Sequence, residues 1–214
     1  MALTLVRLGH SCVRVTTTDG SFSIDPGGFS DVAAALDGVA VVLVTHVHPD
    51  HVDLAALAAA DGVDVHAPAE VVEALVEAGA RRDRLHPVRA GDVLDVAGAR
   101  VEVLGELHEV IHADLPRPAN VAYLVDGVLL HPGDSYTQPP PGTRVDVLLE
   151  AVGAPWLRLG DVVDHVRAVQ PRRVVPVHDA LLSDAGRASA QRLLGQLTTA
   201  QIVPLATGEE LAVG

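Results

Sequence analysis

The sequence predicts an α+β fold in which two mixed β-sheets pack face to face, with helices on their outer surfaces. Three observations predict it. Strand-like segments arrive in runs with helices between only some of them, whereas strict βαβ alternation would predict one doubly wound parallel sheet. Of the 214 residues 49% are apolar but only 2% aromatic, so Ala, Val and Leu must fill the interior, which suits closely packed layers of helix on sheet. No low-complexity linker or short solenoid-type repeat divides the chain, so one domain spanning 1–214 is expected.

Leu3–Val15 reads as two short strands broken at Gly9; a turn at Thr18-Asp19-Gly20 leads to a strand over Ser21–Asp25, which Pro26-Gly27-Gly28 ends. Val39–Thr45 is a continuous apolar, β-branched run, the pattern of a buried strand. Asp53 can cap a helix through Leu54–Ala60. A short strand at Asp64–Ala67 precedes an amphipathic helix over Ala69–Ala78, closed by Gly79. Strands then dominate: Val93–Val96, Arg100–Leu104, Val121–Val125 and Val128–His131, with turns at Ala97-Gly98 and Asp126-Gly127. Val145–Val152 reads as a further buried strand, Gly160–Val169 as a helix, Arg173–Val177 as a strand and Ala185–Leu197 as a helix. Ile202–Leu205 and Glu210–Val213 are expected to close the sheet.

The formal net charge is −13, and every fixed positive side chain is an arginine. Such a chain repels phosphate backbones and anionic membranes at long range, which argues against nucleic-acid and membrane partners and leaves a small-molecule substrate as the expected one. Bound metal ions would invert the field locally. The single cysteine, Cys12, allows no intrachain disulfide; it sits in an apolar strand where nothing nearby lowers its pKa, so burial is expected. There is no basic-then-apolar leader, and no apolar run approaches the ~20 residues that span a bilayer, so a cytoplasmic protein is the expectation. The oligomeric state is not written in these features.

The chemistry concentrates at Thr45-His46-Val47-His48-Pro49-Asp50-His51. Neutral imidazoles and a carboxylate suit zinc, manganese or iron. His46 and His48 share a side if the backbone is extended, while Asp50 and His51 come after Pro49, where the chain must turn toward a helix. One short loop can therefore aim two pairs of side chains at two nearby points. Two divalent metals ~3.5–4 Å apart could then share an attacking water. A solvated His-rich loop is the bland reading, but the cluster ends a buried strand, where open α/β sheets bind ligands. A mononuclear site from the same residues is the more serious rival.

This segment matches the His-x-His-x-Asp-His signature, and the chain resembles the metallo-β-lactamase superfamily. His131-Pro132-Gly133-Asp134-Ser135 is similar to that family's Gly-Asp motif, and Val174-Val175-Pro176-Val177-His178-Asp179 to its last histidine-bearing strand. Leu8-Gly9-His10-Ser11 and Ser23-Ile24-Asp25-Pro26 are similar to the opening of the compact branch that includes ascorbate-6-phosphate lactonase-like proteins. The resemblance implies a four-layer αβ/βα sandwich. It implies that His46 and His48, with a histidine near position 110, bind one metal, that Asp50, His51 and His178 bind a second, and that Asp134 bridges the two. His108 and His112 both come after the strand Arg100–Leu104; His108 is preferred because it lies nearer the strand end and is better held.

Weaker candidates surround this set. Asp25 is a possible outer carboxylate for a ligand histidine, or a turn cap before Pro26. His10 and Trp156 are open between pocket and packing roles, and Asp179 between orienting His178 and capping the next segment. His66, His86, His131 and His165 are most simply surface or packing residues. The expected activity is metal-assisted hydrolysis, with cations lowering the pKa of water and Asp50 assisting proton transfer as well as ligating. The bond cleaved (ester, lactone, amide or phosphodiester) is not encoded in the motifs. An iron oxidoreductase of the sulfur-dioxygenase type and a non-catalytic metal-binding protein are the alternatives; the acidic balance counts against a nucleic-acid-processing enzyme.

Overall fold

The computed structural model describes residues 3–105 and 107–214. The first half of the chain forms β1 (Leu3–Gly9), β2 (Cys12–Thr16), β3 (Ser21–Ile24), α1 (Val32–Leu36), β4 (Val41–Leu43), α2 (Leu54–Ala59), β5 (Asp64–Ala67), α3 (Ala69–Glu77) and β6 (Leu85–Pro87). The second forms β7 (Val93–Val96), β8 (Ala99–Leu104), β9 (Ala122–Val125), β10 (Leu129–His131), β11 (Val147–Ala151) and α4 (Leu159–Val169), then β12 (Arg173–Val177), α5 (Asp184–Leu197), β13 (Gln201–Ile202) and β14 (Glu210–Val213).

These strands make two seven-stranded mixed sheets, ordered β14-β1-β2-β3-β4-β5-β6 and β7-β8-β9-β10-β11-β12-β13. Both run through three antiparallel pairings and then three parallel ones. The antiparallel part is hairpins: Ala97-Gly98 and Asp126-Gly127 all have positive φ, as the tight two-residue turn between twisted strands requires. Five parallel connections carry the helices, from β3 to β4, β4 to β5, β5 to β6, β11 to β12 and β12 to β13.

Alternation along the strands sorts side chains into layers. Leu5, Phe22 and Leu43 of the first sheet meet Val101, Tyr123, Leu149 and Val175 of the second. Val42, Val44 and Val65 face outward onto Leu57 of α2 and Val71 and Leu75 of α3. Leu130, Leu148 and Val174 face outward onto Val162 and Val166 of α4 and Leu194 of α5. The order is helices, sheet, sheet, helices, as expected. Each such buried aliphatic side chain contributes about 1.5–3 kcal/mol. Tyr123, fully buried, donates its hydroxyl to the Val44 carbonyl at 2.9 Å, which ties the second sheet to the end of β4 without an orphaned polar group.

The predicted elements are present, with differences at their ends. Val39–Thr45 pairs as a strand only over Val41–Leu43, because the Thr45 amide turns to the Asp25 carboxylate. The expected helix cap is made: Asp53 accepts from the Ala56 amide at 3.0 Å. Helix α1 and strand β6 were not expected. α1 has five residues and β6 three, one of them Pro87, which a sheet edge tolerates. The last two strands close different sheets, β13 on β12 and β14 on β1. Among the described residues no helix is long and apolar enough to cross a membrane.

Candidate metal centre

The centre lies where strands of both sheets end. His10 comes directly after β1, Asp25 after β3, the Thr45–His51 loop after β4 and His178 after β12, while Asp134 lies beyond β10 and Trp156 beyond β11. His108 sits on the connection from β8 to β9. Three of these residues leave their strand with positive φ: His10 at 46°, Asp25 at 53° and His178 at 55°. Non-glycine residues rarely adopt this conformation, and it concentrates at functional sites. Here it turns a side chain inward one residue past a strand. The loop itself is held by close backbone approach. A Cβ on Gly27 would lie 2.0 Å from the Asp50 carbonyl oxygen, and one on Gly133 2.4 Å from Asn120 Oδ1 and 2.8 Å from Thr45 Cβ. Only glycine fits at either position.

Two groups of side chains result. His46, His48, His108 and Asp134 form one; His10, Asp50, His51 and His178 form the other. Within each group the atoms that could bind a metal lie within 4.8 Å of one another. Asp134 also reaches the second group, with Oδ1 3.2 Å from His51 Nε2 and Oδ2 3.3 Å from both His178 Nε2 and His108 Nε2. His46, His48, Asp50, His51, His108, Asp134 and His178 are thus together, although they span over a hundred residues of chain. His112 is apart: its side chain is 66% exposed and faces Asp114 at 3.6 Å.

Hydrogen bonds orient the rings. Four imidazoles donate Nδ1–H outward: His46 to Thr45 Oγ1 at 3.0 Å, His51 to Asp25 Oδ2 at 2.7 Å, His108 to the Glu109 carbonyl and His178 to the Gly153 carbonyl at 2.7 Å. The Thr45 hydroxyl can accept from His46 because it donates to Asp25 Oδ2 at 2.7 Å. Each Nε2 is left facing the centre, the tautomer a metal ligand needs. Nε2 of His51, His108 and His178 and Oδ1 of Asp134 are buried without a hydrogen-bond partner. Unmatched buried donors and acceptors cost free energy, and four such atoms converging here fit a divalent cation.

The electrostatics agree. Burial alone would raise the Asp134 carboxyl, but His51, His108 and His178 hold it well below the ordinary range. Burial opposes, and hydrogen bonds from His10 and His178 overcome it, to lower Asp50 strongly. Conversely, His178 is raised to about 9 and His51 well above its usual value, against burial, by Asp134 with Asp50 and Asp25 respectively. His46, with desolvation dominant, is lowered. The carboxylates therefore demand positive charge at this spot, which bound metal supplies in place of protons.

Some contributors were missed or left open by sequence reasoning. The Trp156 indole Nε1–H donates to Asp134 Oδ2 at 2.8 Å. His10 accepts from the Ala180 amide at Nδ1 and so donates Nε2–H to Asp50 Oδ2, at 3.1 Å. Asn120, fully buried, accepts from the Asp134 amide at 2.9 Å and donates to the Pro132 carbonyl at 2.9 Å; a lone Asn before a strand carries no signal of this. Asp179 neither orients His178 nor acts only as a cap. It pairs with Arg7, and the Gly153 carbonyl orients His178 instead. His131 and His165 are buried packing residues, hydrogen-bonded to the Ser11 carbonyl and to Glu150. Cys12 is buried and its thiol is pushed up to about 12, chiefly by desolvation.

Comparison with known proteins points the same way. The chain is 34% identical to Protein Rv0786c of Mycobacterium tuberculosis (strain ATCC 25618 / H37Rv) over 98% of each chain. It is 27% identical to a UPF0173 metal-dependent hydrolase of Lysinibacillus sphaericus (strain C3-41), over 79% of this chain and 82% of that one. Among solved structures it is similar in fold to Igni18, a metallo hydrolase from the archaeon Ignicoccus hospitalis KIN4/I, with a TM-score of 0.74 and 18% identity over 99% and 98% of the two chains. The model of the β-lactamase superfamily domain matches residues 4–178, a stretch from the first strand to the last candidate ligand, and on that match the chain belongs to the metallo-β-lactamase superfamily.

Proposed function

We propose that this chain is a metal-dependent hydrolase whose centre holds two divalent ions, zinc or manganese with iron also compatible, and acts on a small-molecule ester, lactone, amide or phosphodiester. The observation that carries the reading is the set of three imidazoles, His51, His108 and His178, each anchored through Nδ1 with Nε2 within 3.2–3.3 Å of the Asp134 carboxylate. His46, His48 and His108 would hold one ion, Asp50, His51 and His178 the other, and Asp134 would bridge them. Bound there, the ions lower the pKa of water and polarise the substrate oxygen. The protein's own groups handle the proton. Asp50 Oδ2 lies 3.1 Å from His10 Nε2 and 3.2 Å from His178 Nε2, so these imidazoles hold Asp50 ionised, ready to accept a hydrogen bond from the attacking water. The metal-dependent hydrolase name carried by the Lysinibacillus relative supports the same class.

Metal analysis of the purified protein, joined to a panel of lactones, thioesters and phosphodiesters, tests the proposal. The expected result is two ions per chain and chelator-sensitive hydrolysis. Iron as the bound metal, with substrate-dependent oxygen uptake and no hydrolysis, would replace it with an oxidoreductase.

A further inference from the structure

We infer that Glu150 and His165, a buried pair on the outer side of the second sheet, are positioning residues of the metal centre: they hold the segment Asp134–Thr137 and the Tyr136 ring so that Trp156 and Asp134 meet where two ions would be bridged. The consequence for metal binding rests on the reading of Asp134 as a ligand, but the placement of Trp156 can be tested without metal.

Glu150 belongs to β11 and His165 to α4, and they are 2% and 4% exposed. The layer around them is apolar, with Leu130 and Leu148 of the sheet packed on Val162 and Val166 of α4. Replacing a buried charged pair by well-packed apolar side chains is often neutral or stabilising, so stability alone gives no reason for this one. His165 Nδ1 lies 2.9 Å from Glu150 Oε2, and Nε2 lies 3.1 Å from the Thr137 carbonyl. A carbonyl only accepts, so Nε2 carries hydrogen, and a further proton is shared between Nδ1 and Glu150. Burial pushes the Glu150 carboxyl up; it would push His165 down, but Glu150 outweighs it and raises the imidazole. The pair is neutral as a whole, and its Nε2–H is committed to Thr137.

Beyond packing, that donor acts on the segment that carries Asp134. Ser135 Oγ donates to the Pro132 carbonyl at 2.9 Å and accepts from Thr137 Oγ1 at 2.7 Å. A Cβ on Gly105 would lie 2.5 Å from Thr137 Oγ1, so the chain leading to His108 closes on the same residue. On the other side Asn120 holds the Asp134 amide at 2.9 Å. A second route runs across rings. Tyr136 packs against His165, with centroids 5.4 Å apart, and edge-on against Trp156 at 5.5 Å. Trp156 Nε1–H in turn donates to Asp134 Oδ2 at 2.8 Å. Backbone and rings thus join His165 to one carboxylate by two paths, the kind of outer support that keeps a ligand within a fraction of an ångström of its working position.

Three variants test this. Glu150→Leu combined with His165→Leu replaces the pair by apolar side chains and removes the donor to Thr137. It should fold and melt at or above the wild-type temperature. Metal binding, read by chelator competition, should nevertheless weaken about tenfold. In the metal-free protein, acrylamide should quench Trp156, the only tryptophan, more strongly than in the wild type. Glu150→Gln alone should keep wild-type values of both, because its amide donates to His165 Nδ1 and leaves Nε2–H on Thr137. Tyr136→Leu, on a half-buried side chain, removes the ring between His165 and Trp156 and leaves the pair intact; it should move both readings as the double variant does, and it decides the matter if the double variant does not fold. Wild-type quenching or wild-type metal affinity in the folded double variant would overturn the inference, as would a loss in Glu150→Gln equal to that of the double variant. A wild type that binds no metal would remove the hydrolase reading, and the quenching comparison would still decide whether the pair places Trp156.

Discussion

Asp25→Asn should disarm candidate ligands in both groups while leaving the fold in place. The Asp25 carboxylate is fully buried and accepts three hydrogen bonds: from the Thr45 amide on Oδ1, and from Thr45 Oγ1 and His51 Nδ1 on Oδ2, each at 2.7 Å. Asp25→Ala would strand all three donors at about 1–3 kcal/mol each, roughly 3–9 kcal/mol against a typical total stability of ~5–15 kcal/mol, so alanine reads folding rather than the site. Asparagine keeps the oxygen that Thr45 N–H needs and places NH₂ where Oδ2 was. That NH₂ donates to His51 Nδ1 and to Thr45 Oγ1. The Thr45 hydroxyl must then turn its hydrogen to His46 Nδ1, which it faces at 3.0 Å. In both rings the proton moves to Nε2, the atom turned toward the centre. Metal affinity should fall by the ~10–100-fold expected of an outer partner, about 1.4–2.7 kcal/mol. Metal content after dialysis against graded chelator measures it, with thermal melting of the apoprotein as the control for folding. A variant that melts like the wild type and also binds metal like the wild type would refute the tautomer argument.

The same geometry leads to further outcomes. Asp134→Ala should lose metal from both groups at once and drop below two ions per chain, since a bridging carboxylate offsets the repulsion between cations; two tightly held ions in this variant would show that Asp134 is not the bridge. His108→Ala should lower metal content by about one ion per chain, and His112→Ala, on an exposed side chain, should not; metal analysis of the pair decides between them. Trp156→Phe removes the 2.8 Å donor to Asp134 Oδ2 and should weaken metal binding about tenfold, with unchanged chelator resistance counting against a positioning role. Asp146→Asn tests electrostatics away from the centre. Burial would raise the Asp146 carboxyl, but Arg172, Arg173 and the Gly214 amide overcome it and lower it. The folded pKa thus lies below the unfolded ~3.9, so its stabilisation is complete above that value and is lost as pH falls through the folded one. The gap in urea midpoint between wild type and variant should narrow on acidification below about pH 4; a constant gap from pH 6 to pH 2 would contradict it.

The layered fold was legible because its cause is local. Apolar runs at Val39–Thr45 and Val145–Val152 state that both faces of those strands must be covered, and runs of strands broken by Ala-Gly and Asp-Gly state where hairpins turn. What escaped were pieces with too few residues to show a period, α1 and β6, and the destination of the last strands. Leu3 pairs with Val213, a choice made by the open edge of a sheet rather than by anything in Glu210–Val213. At the centre, the His46–His51 loop declared itself because four metal-binding side chains fall within six positions. His108 could be preferred over His112 by its nearness to a strand end. Asn120, Thr45 and the Trp156 contact could not be foreseen, since each acts on a residue that is adjacent only in space or through a hydroxyl that many threonines carry without consequence.

By itself, then, the sequence determined which side chains have the chemistry to hold metal and which surfaces had to be buried, because residue type and short-range periodicity are written one residue at a time. The tertiary structure alone decided which atom of each imidazole faces the centre. That choice depends on where an acceptor for Nδ1–H lies: the Asp25 carboxylate for His51, the Thr45 hydroxyl for His46 and the Gly153 carbonyl for His178. Two of those acceptors come from segments 26 and 25 residues away in the chain, and it is the parallel pairing of β3 with β4 and of β11 with β12 that brings them into reach.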